Sequence, residues 1–209
     1  MTFYRRNLPH WHPEGKTIFL TWRLFGSLPA SFMKKWPTPA RRTATNRDCI
    51  ASQSALEENF PQLDDALDAA RSGPLWLADP ELAAYAEYPI WHGADLGRFH
   101  LHAYVVMPNH VHALLDPCVP LAKITGAIKG VAARDANAAL GRTGKPFWQD
   151  ESFDHWIRNP EEFARVRDYI EWNPVKAGLV SSPEDWKWSS AGSPYFRRGP
   201  KSASLRKGP

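Results

Sequence analysis

Apolar and polar residues alternate along residues 16–29, KTIFLTWRLFGSLP, with apolar side chains at every second position from Ile18 to Leu24. This period is that of a strand with one buried face, and the closing Gly-Ser-Leu-Pro is typical of a turn. Residues 32–71 are more polar and three prolines interrupt them. One or two irregular helices are therefore predicted in that part of the chain.

Two more strands are predicted on either side of Pro108 and Asn109. The flanking segments are residues 97–108, GRFHLHAYVVMP, and residues 110–116, HVHALLD. Because a Pro-Asn pair favours a tight turn, the two segments are expected to pair as an antiparallel hairpin. SFDHWIR, residues 152–158, predicts a further short strand.

Start and stop signals mark two helices. Asp79 is a suitable N-cap for a helix that begins at Pro80. Apolar residues recur at helical spacing from Leu121 onward and stop at Gly141, which predicts a second helix there.

A third helix is predicted after residue 159. Asn159 is a suitable N-cap and Pro160 occupies the first helical position. The helix is expected to end near Asn173, because Pro174 follows and the residue before a proline avoids the helical conformation.

This order of elements predicts an α+β fold, a ferredoxin-like and mostly antiparallel sheet with the helices packed on one face. A chain of 209 residues with 43% hydrophobic content can bury one substantial core, so a single domain over residues 1–190 is expected. An irregular helical insertion would occupy about residues 30–95 of it. Residues 191–209 are basic and are expected to form a flexible tail.

Composition narrows the class of protein. No apolar stretch approaches the ~20 residues of a membrane span, and the first residues lack the apolar core of a signal peptide, so a cytoplasmic protein with no membrane partner is predicted. Cys49 and Cys118 support neither a zinc ribbon nor a disulfide framework. The net charge of +4 permits a polyanionic partner.

Histidines one residue apart occur three times, as His10/His12, His100/His102 and His110/His112. On a strand both side chains of such a pair face the same way and offer two nitrogens to one divalent cation. Two ligands do not make a site, and alternation does not choose between the second and third pairs. The first pair lies in a proline-flanked segment and is interpreted as a surface pair.

Tyr169 and Asn173 are four residues apart in the last predicted helix, so they share one face of it. A phenol oxygen can act as a nucleophile or general acid, and an amide oxygen can bind a hard cation. The same residues also fit structural roles, with Tyr169 packed in the core and Asn173 capping the helix before Pro174.

Three motifs follow one another along the chain: MPNHVHALL, FWQDESFDHWIR and RDYIEWNPVKAGLV. Together they resemble the REP-associated tyrosine transposases, a branch of the single-tyrosine HUH transposases that act on single-stranded DNA. The opening segment YRRNLPHWHPEGKTIFLTWRLFGSLP is similar to the same family. The likeness covers most of the chain from Tyr4 to Ser190.

The resemblance implies a ferredoxin-like domain of the HUH endonuclease type. It places two metal ligands at His110 and His112, a third at Asn173, and the nucleophile at Tyr169. The implied activity is the nicking and strand transfer of single-stranded or hairpin DNA through a 5'-phosphotyrosine, with Mg or Mn as the divalent metal. DNA with hairpins or repeat ends is the implied partner, and the protein is a monomer or a homodimer.

Basic residues that could contact DNA phosphates are spread over several segments. They are Arg5, Arg6, Lys123, Lys129, Arg134, Arg142, Lys145, Arg165, Lys176, Arg197 and Arg198. Each one taken singly also fits a solvated surface.

Two alternative functions stay open on the sequence. One is a catalytically inactive protein, derived from a transposase, that binds DNA hairpins. The other is a zinc-dependent hydrolase that uses the four histidines at positions 100, 102, 110 and 112. The hydrolase lacks a carboxylate base at a recognisable spacing.

Overall fold

The computed structural model describes residues 2–5, 9–12, 15–29, 32, 58–70, 73–150, 152–194 and 196. Two strands near the amino terminus, β1 (Thr2–Arg5) and β2 (Pro9–His12), pair as a separate antiparallel ribbon. The central sheet has four antiparallel strands in the order β4-β5-β3-β6. These strands are β3 (Ile18–Arg23), β4 (Phe99–Val106), β5 (His110–Pro117) and β6 (Phe153–Trp156).

Four α-helices accompany the sheet within the described ranges. They are α1 (58–68), α2 (Pro80–Asp95), α3 (Leu121–Ala139) and α4 (Pro160–Lys176). Both predicted N-caps are confirmed: the Asp79 carboxylate accepts a hydrogen bond from the backbone N–H of Glu81 at 2.8 Å, and the Asn159 amide oxygen accepts one from Glu162 at 2.8 Å. The α+β class and the antiparallel sheet are confirmed as well.

The hairpin predicted around Pro108 and Asn109 is present. Strand β4 pairs antiparallel with β5, with Val106 opposite Val111 next to the turn. Strand β5 also pairs with β3 on its other side, and its first six residues are all buried. The segment with the His110/His112 pair is therefore an interior strand, with neighbours on both edges.

The helices cover both faces of the sheet, so the prediction that they pack on one face is wrong. Helices α2 and α3 bury one face with Ile18, Leu20 and Trp22, whereas α1 and α4 bury the other with Phe19. The physical reason lies in β3, where residues of both parities are buried. A strand with two apolar faces needs a covering layer on each side.

Helix α4 continues past Pro174 to Lys176, so the end predicted near Asn173 is wrong. A proline in the last turn removes only one backbone hydrogen bond, and this loss is small enough for the turn to be completed. Gly178, with φ of 70°, ends the helix instead in the left-handed conformation that glycine adopts freely. As a result Tyr169, Asn173 and Lys176 lie on one stripe of α4.

Packing against the core extends past residue 190 in the part of the chain that is described. The ring of Phe196 lies 5.8 Å from that of Trp91 and 6.2 Å from that of Tyr104, between centroids. The predicted insertion contains α1 and α2, and residues 33–57 of it lie outside the described ranges. None of the described helices combines the length and the apolar character needed to cross a membrane.

The packing of α2 on β4 gives a stability prediction. A Cβ at Gly93 would lie 2.6 Å from Cε1 of the buried Phe99 ring, so Gly93→Ala is expected to destabilise the protein by about 1–3 kcal/mol through overpacking. Gly130→Ala in α3 is the matched control, since its Cβ would meet nothing within 4 Å. The control should gain about 0.5–1 kcal/mol. Urea unfolding measures both, and equal stability of the two variants would contradict the close packing.

Candidate active site

His110 and His112 point from β5 to the face of the sheet that α1 and α4 cover. Both side chains are fully buried, and their Nε2 atoms are 3.1 Å apart. The shared face that their spacing predicts is thus confirmed. Burial lowers the pKa of His110 to about 3, so its imidazole is neutral at pH 7, the form that binds metal ions.

Each imidazole has a hydrogen-bond partner on its outer nitrogen. The Asn109 amide oxygen lies 2.6 Å from Nδ1 of His110, and the Thr21 hydroxyl lies 2.8 Å from Nδ1 of His112. An amide oxygen can only accept, so His110 donates from Nδ1 and keeps a lone pair on Nε2. Such outer partners fix the ring orientation of metal-binding histidines.

A carboxylate from α1 completes a three-residue cluster. Oδ1 of Asp64 is 3.1 Å from Nε2 of His112 and 4.0 Å from Nε2 of His110, and Asp64 is 1% exposed. One ligand atom from each of Asp64, His110 and His112 lies within 4.8 Å of the other two. Two imidazole nitrogens and a carboxylate are a suitable donor set for a divalent cation.

Asp64 belongs to none of the sequence motifs described above. The only sequence signal is its spacing of four residues from Asp68, which puts both carboxylates on one side of α1. Acidic pairs at this spacing are common on solvated helix faces, so the signal does not point to a site.

Tyr169 on α4 reaches the same cluster. Its hydroxyl donates a hydrogen bond to Oδ2 of Asp64, and its ring centroid is 5.6 Å from that of His112. Burial and the negative charge of Asp64 raise the pKa of Tyr169 far above its usual range, so the phenol is protonated at pH 7. Asp64 therefore connects the tyrosine hydroxyl to the histidine pair.

Asn173 lies one helical turn beyond Tyr169 and is fully buried. Among the described residues, neither its Oδ1 nor its Nδ2 has a hydrogen-bond partner. A buried amide without a partner costs about 1–3 kcal/mol. The side chain is thus available to bind a ligand, and the cap role that the sequence also allowed does not account for its burial.

Lys176 is surrounded by the carboxylates of α1. Its Nζ lies 2.8 Å from Asp65, 3.2 Å from Asp68 and 3.5 Å from Asp64. Burial together with the charge of Asp64 raises the pKa of Asp68 to about 6. Burial alone would raise the pKa of Asp64, but attraction and hydrogen bonding to His112 outweigh it and hold that pKa far below the usual range.

The contact between Asp64 and Tyr169 gives a prediction about the phenol. Asp64→Asn removes the charge that opposes ionisation, so the pKa of Tyr169 is expected to fall. Ultraviolet absorbance titration measures it, after subtraction of the titration of the Asp64→Asn/Tyr169→Phe double variant to remove the other tyrosines. Asp65→Asn, whose carboxylate lies further from the phenol, should shift it less. A phenol that titrates at the same or higher pH in Asp64→Asn would contradict the contact.

The second histidine pair lies away from this cluster. Nε2 of His102 is 2.8 Å from the Asp116 carboxylate, and its ring packs edge-on against Phe163. His100 is exposed and stands opposite Asp116 on the neighbouring strand. Because the four histidines do not converge, the zinc hydrolase built on them is wrong.

The basic residues divide between the two faces of the sheet. Five of them, Lys123, Lys129, Arg134, Arg142 and Lys145, lie on α3 or in the loop after it, on the face opposite Tyr169. Several have local partners: Lys129 donates to the carbonyl of Gln149 at 2.6 Å, Arg134 pairs with Asp135 at 2.7 Å, and Arg142 lies over the ring of Trp76.

Two other basic residues, Arg165 and Lys176, lie on α4 near the tyrosine. The backbone of Arg5 lies in β1, whereas Arg6, Arg197 and Arg198 lie outside the described residues. The role of all these residues toward DNA stays a prediction.

Comparison with known proteins shows which family part of the chain resembles. Residues 82–173 match the family described as IS200-like transposases. A curated REP-associated tyrosine transposase of Escherichia coli (strain K12) is 29% identical over 92 residues, which are 44% of this chain and 54% of that protein. The chain thus spans about half the length of this curated relative.

A solved structure of a REP-associated tyrosine transposase bound to a REP hairpin is 24% identical, with a TM-score of 0.49. The match covers 95% of this chain and 84% of that one. The family match holds the histidine pair, Tyr169 and Asn173 within its bounds. Over residues 82–173 the chain is therefore similar to the IS200-like transposases, and a curated REP-associated tyrosine transposase is among its relatives.

Proposed function

We propose that the protein cleaves and rejoins single-stranded or hairpin DNA, with Tyr169 as the nucleophile. The observation that carries the proposal is the hydrogen bond from the Tyr169 hydroxyl to Asp64, whose other oxygen lies 3.1 Å from His112. It joins a nucleophile to a cluster of metal-ligand type. The match of residues 82–173 to a transposase family supports DNA as the substrate class.

A divalent ion, Mg or Mn, fits the residues of the site. His110 and His112 would hold it through Nε2, and the oxygen donors within the site are Asp64 and Asn173. The unpartnered amide of the buried Asn173 supports the fit, since such a group is stabilised by a ligand. When bound, the ion supplies positive charge that offsets the negative charge gathering on a phosphate under attack.

The reaction proposed for Tyr169 is a transesterification. Oη attacks the phosphorus, an Oη–P bond forms, and the bond from phosphorus to the 3' oxygen breaks. The products are a 5'-phosphotyrosine on the protein and a strand with a free 3'-hydroxyl, which takes up a proton. Asp64 Oδ2 already accepts the hydrogen bond of the phenol, so an acceptor stands beside the proton that the attack releases.

Two facts support DNA with hairpins as the partner. A solved relative is described as bound to a REP hairpin, and the chain has a net charge of +4. Basic residues at the site face, Arg165 above all, could contact the phosphates next to the cut.

Incubation of the protein with a labelled hairpin oligonucleotide that carries unpaired flanks, in the presence of Mn, tests the proposal. We expect a covalent protein–DNA adduct that survives denaturation, and a strand with a free 3'-hydroxyl. Tight hairpin binding without any adduct or cut would replace the proposal with a protein that only binds DNA.

A further inference from the structure

A cavity of about 520 Å³ opens beside Tyr169, between α1, β6 and α4. We call it the Phe60 pocket; its apolar wall consists of Phe19, Phe60, Phe153 and Val166. Its volume lies in the range of sites that enclose small organic groups. Because Tyr169 lines the cavity, a group bound there lies next to the proposed nucleophile.

The wall of the Phe60 pocket is aromatic and held in place. Phe60 stacks on Phe153 with centroids 4.3 Å apart, and Phe19 meets Phe60 edge-on at 5.4 Å. Phe60 keeps part of its surface exposed. Aromatic rings presented in this way bind unpaired bases, since every base has a π face that can stack or pack on them.

Three cations line the pocket: Lys176, Arg165, and Arg158, which lies 3.8 Å from the Glu162 carboxylate. Arg165 is exposed and makes no hydrogen bond or ion pair with any described residue. It precedes Tyr169 by four residues, so both lie on the same side of α4. Lys176, in contrast, is already paired with three carboxylates. A phosphate at the mouth of the pocket would therefore meet Arg165.

Two polar side chains also line the cavity. Nε2 of His155 is 2.9 Å from the Glu162 carboxylate, and both residues line the pocket. The cavity thus has an aromatic wall, polar atoms, and an exposed cation without a partner among the described residues. These suit the face of a base, the edge of a base and a phosphate, respectively.

From this geometry we propose that the Phe60 pocket holds one unpaired base, on a nucleotide next to the phosphate that Tyr169 attacks. The proposal rests on the proposed function, which supplies DNA as the substrate. It adds a base subsite and assigns Phe60 and Arg165 to it, with the base against the aromatic wall and a flanking phosphate on Arg165.

The test is a binding scan with abasic sites. Hairpin oligonucleotides with unpaired flanks, each lacking one base, are titrated with the full chain in EDTA, so that binding is read without cleavage. We expect one flank position at which base removal weakens binding about tenfold. Phe60→Leu should weaken binding of the intact oligonucleotide and remove most of that difference. Phe25→Leu, at a phenylalanine that is 48% exposed, is the matched control and should keep it.

Arg165→Gln gives a second readout at an exposed position, where the substitution is compatible with folding. The salt dependence of binding should lose about one unit of slope, because one phosphate contact is lost. A wild-type scan in which no flank position matters would overturn the subsite, and so would a Phe60→Leu variant with the full abasic effect or an unchanged slope in Arg165→Gln. The proposed function fails separately, through the absence of a covalent adduct with Mn.

Discussion

Tyr169→Phe is expected to abolish the covalent protein–DNA adduct, with a loss of at least about a thousandfold in its rate of formation. The substitution removes only the hydroxyl oxygen, which is the atom proposed to attack phosphorus. The ring contacts with Phe19 and His112 are kept, so the fold should persist. Gel analysis of the labelled hairpin after denaturation measures the adduct, and DNA binding by the same variant is expected to stay within a few-fold of wild type.

Tyr88→Phe is the matched control, since Tyr88 is 57% exposed on α2 and lies outside the cluster of Asp64 and the histidines. It should form the adduct at the wild-type rate. An adduct that persists in Tyr169→Phe would reject Tyr169 as the nucleophile. Peptide mapping of the persisting adduct would then identify the residue that replaces it.

The strand that carries the histidines could be predicted from sequence because its signals are local. Alternation, the Pro108–Asn109 turn and the apolar run after it are all contained within the hairpin itself. The same holds for the start of α4, where Asn159 and Pro160 specify the first turn. The closeness of the β5 histidines to Tyr169, by contrast, could be predicted only from the resemblance to a family.

Asp64 could not be predicted, because its role depends on where α1 packs. The carboxylate belongs to a helix some forty residues before β5 in a polar part of the sequence, and only the tertiary fold brings it to His112. Pro174, by contrast, gave a wrong prediction. A proline favours the end of a helix just before it, but α4 continues to Lys176 because its packing on the sheet outweighs the single hydrogen bond lost at Pro174.

The basic residues show a further limit of sequence reasoning. Lys129 and Arg165 are equivalent by composition, since each is a cation on a helix. The structure gives Lys129 two backbone carbonyl partners on the face opposite Tyr169, whereas Arg165 lies beside the tyrosine with no hydrogen-bond or ion-pair partner among the described residues. Charge content only permits a polyanionic partner. The packing of α3 and α4 on opposite faces of the sheet shows which cations lie on the same side as Tyr169.

His112→Gln is expected to lower the affinity for Mn by on the order of a hundredfold or more and to reduce adduct formation accordingly. The substitution removes one of the two Nε2 atoms that lie 3.1 Å apart and also breaks the contact with Asp64. Glutamine keeps much of the side-chain volume and can still bond to Thr21, so a loss of binding would reflect the missing nitrogen rather than a collapsed core. Isothermal titration with Mn measures the affinity, and thermal unfolding checks the fold.

His102→Gln is the control that decides between the two strand pairs. His102 also lies on a strand of the sheet, but its imidazole faces Asp116 and Phe163, away from the buried cluster. The control should bind Mn and form the adduct as the wild type does. If His102→Gln lost Mn binding while His112→Gln kept it, the metal would belong to the other histidine pair, and the hydrogen bond between Tyr169 and Asp64 would no longer place the nucleophile at the metal.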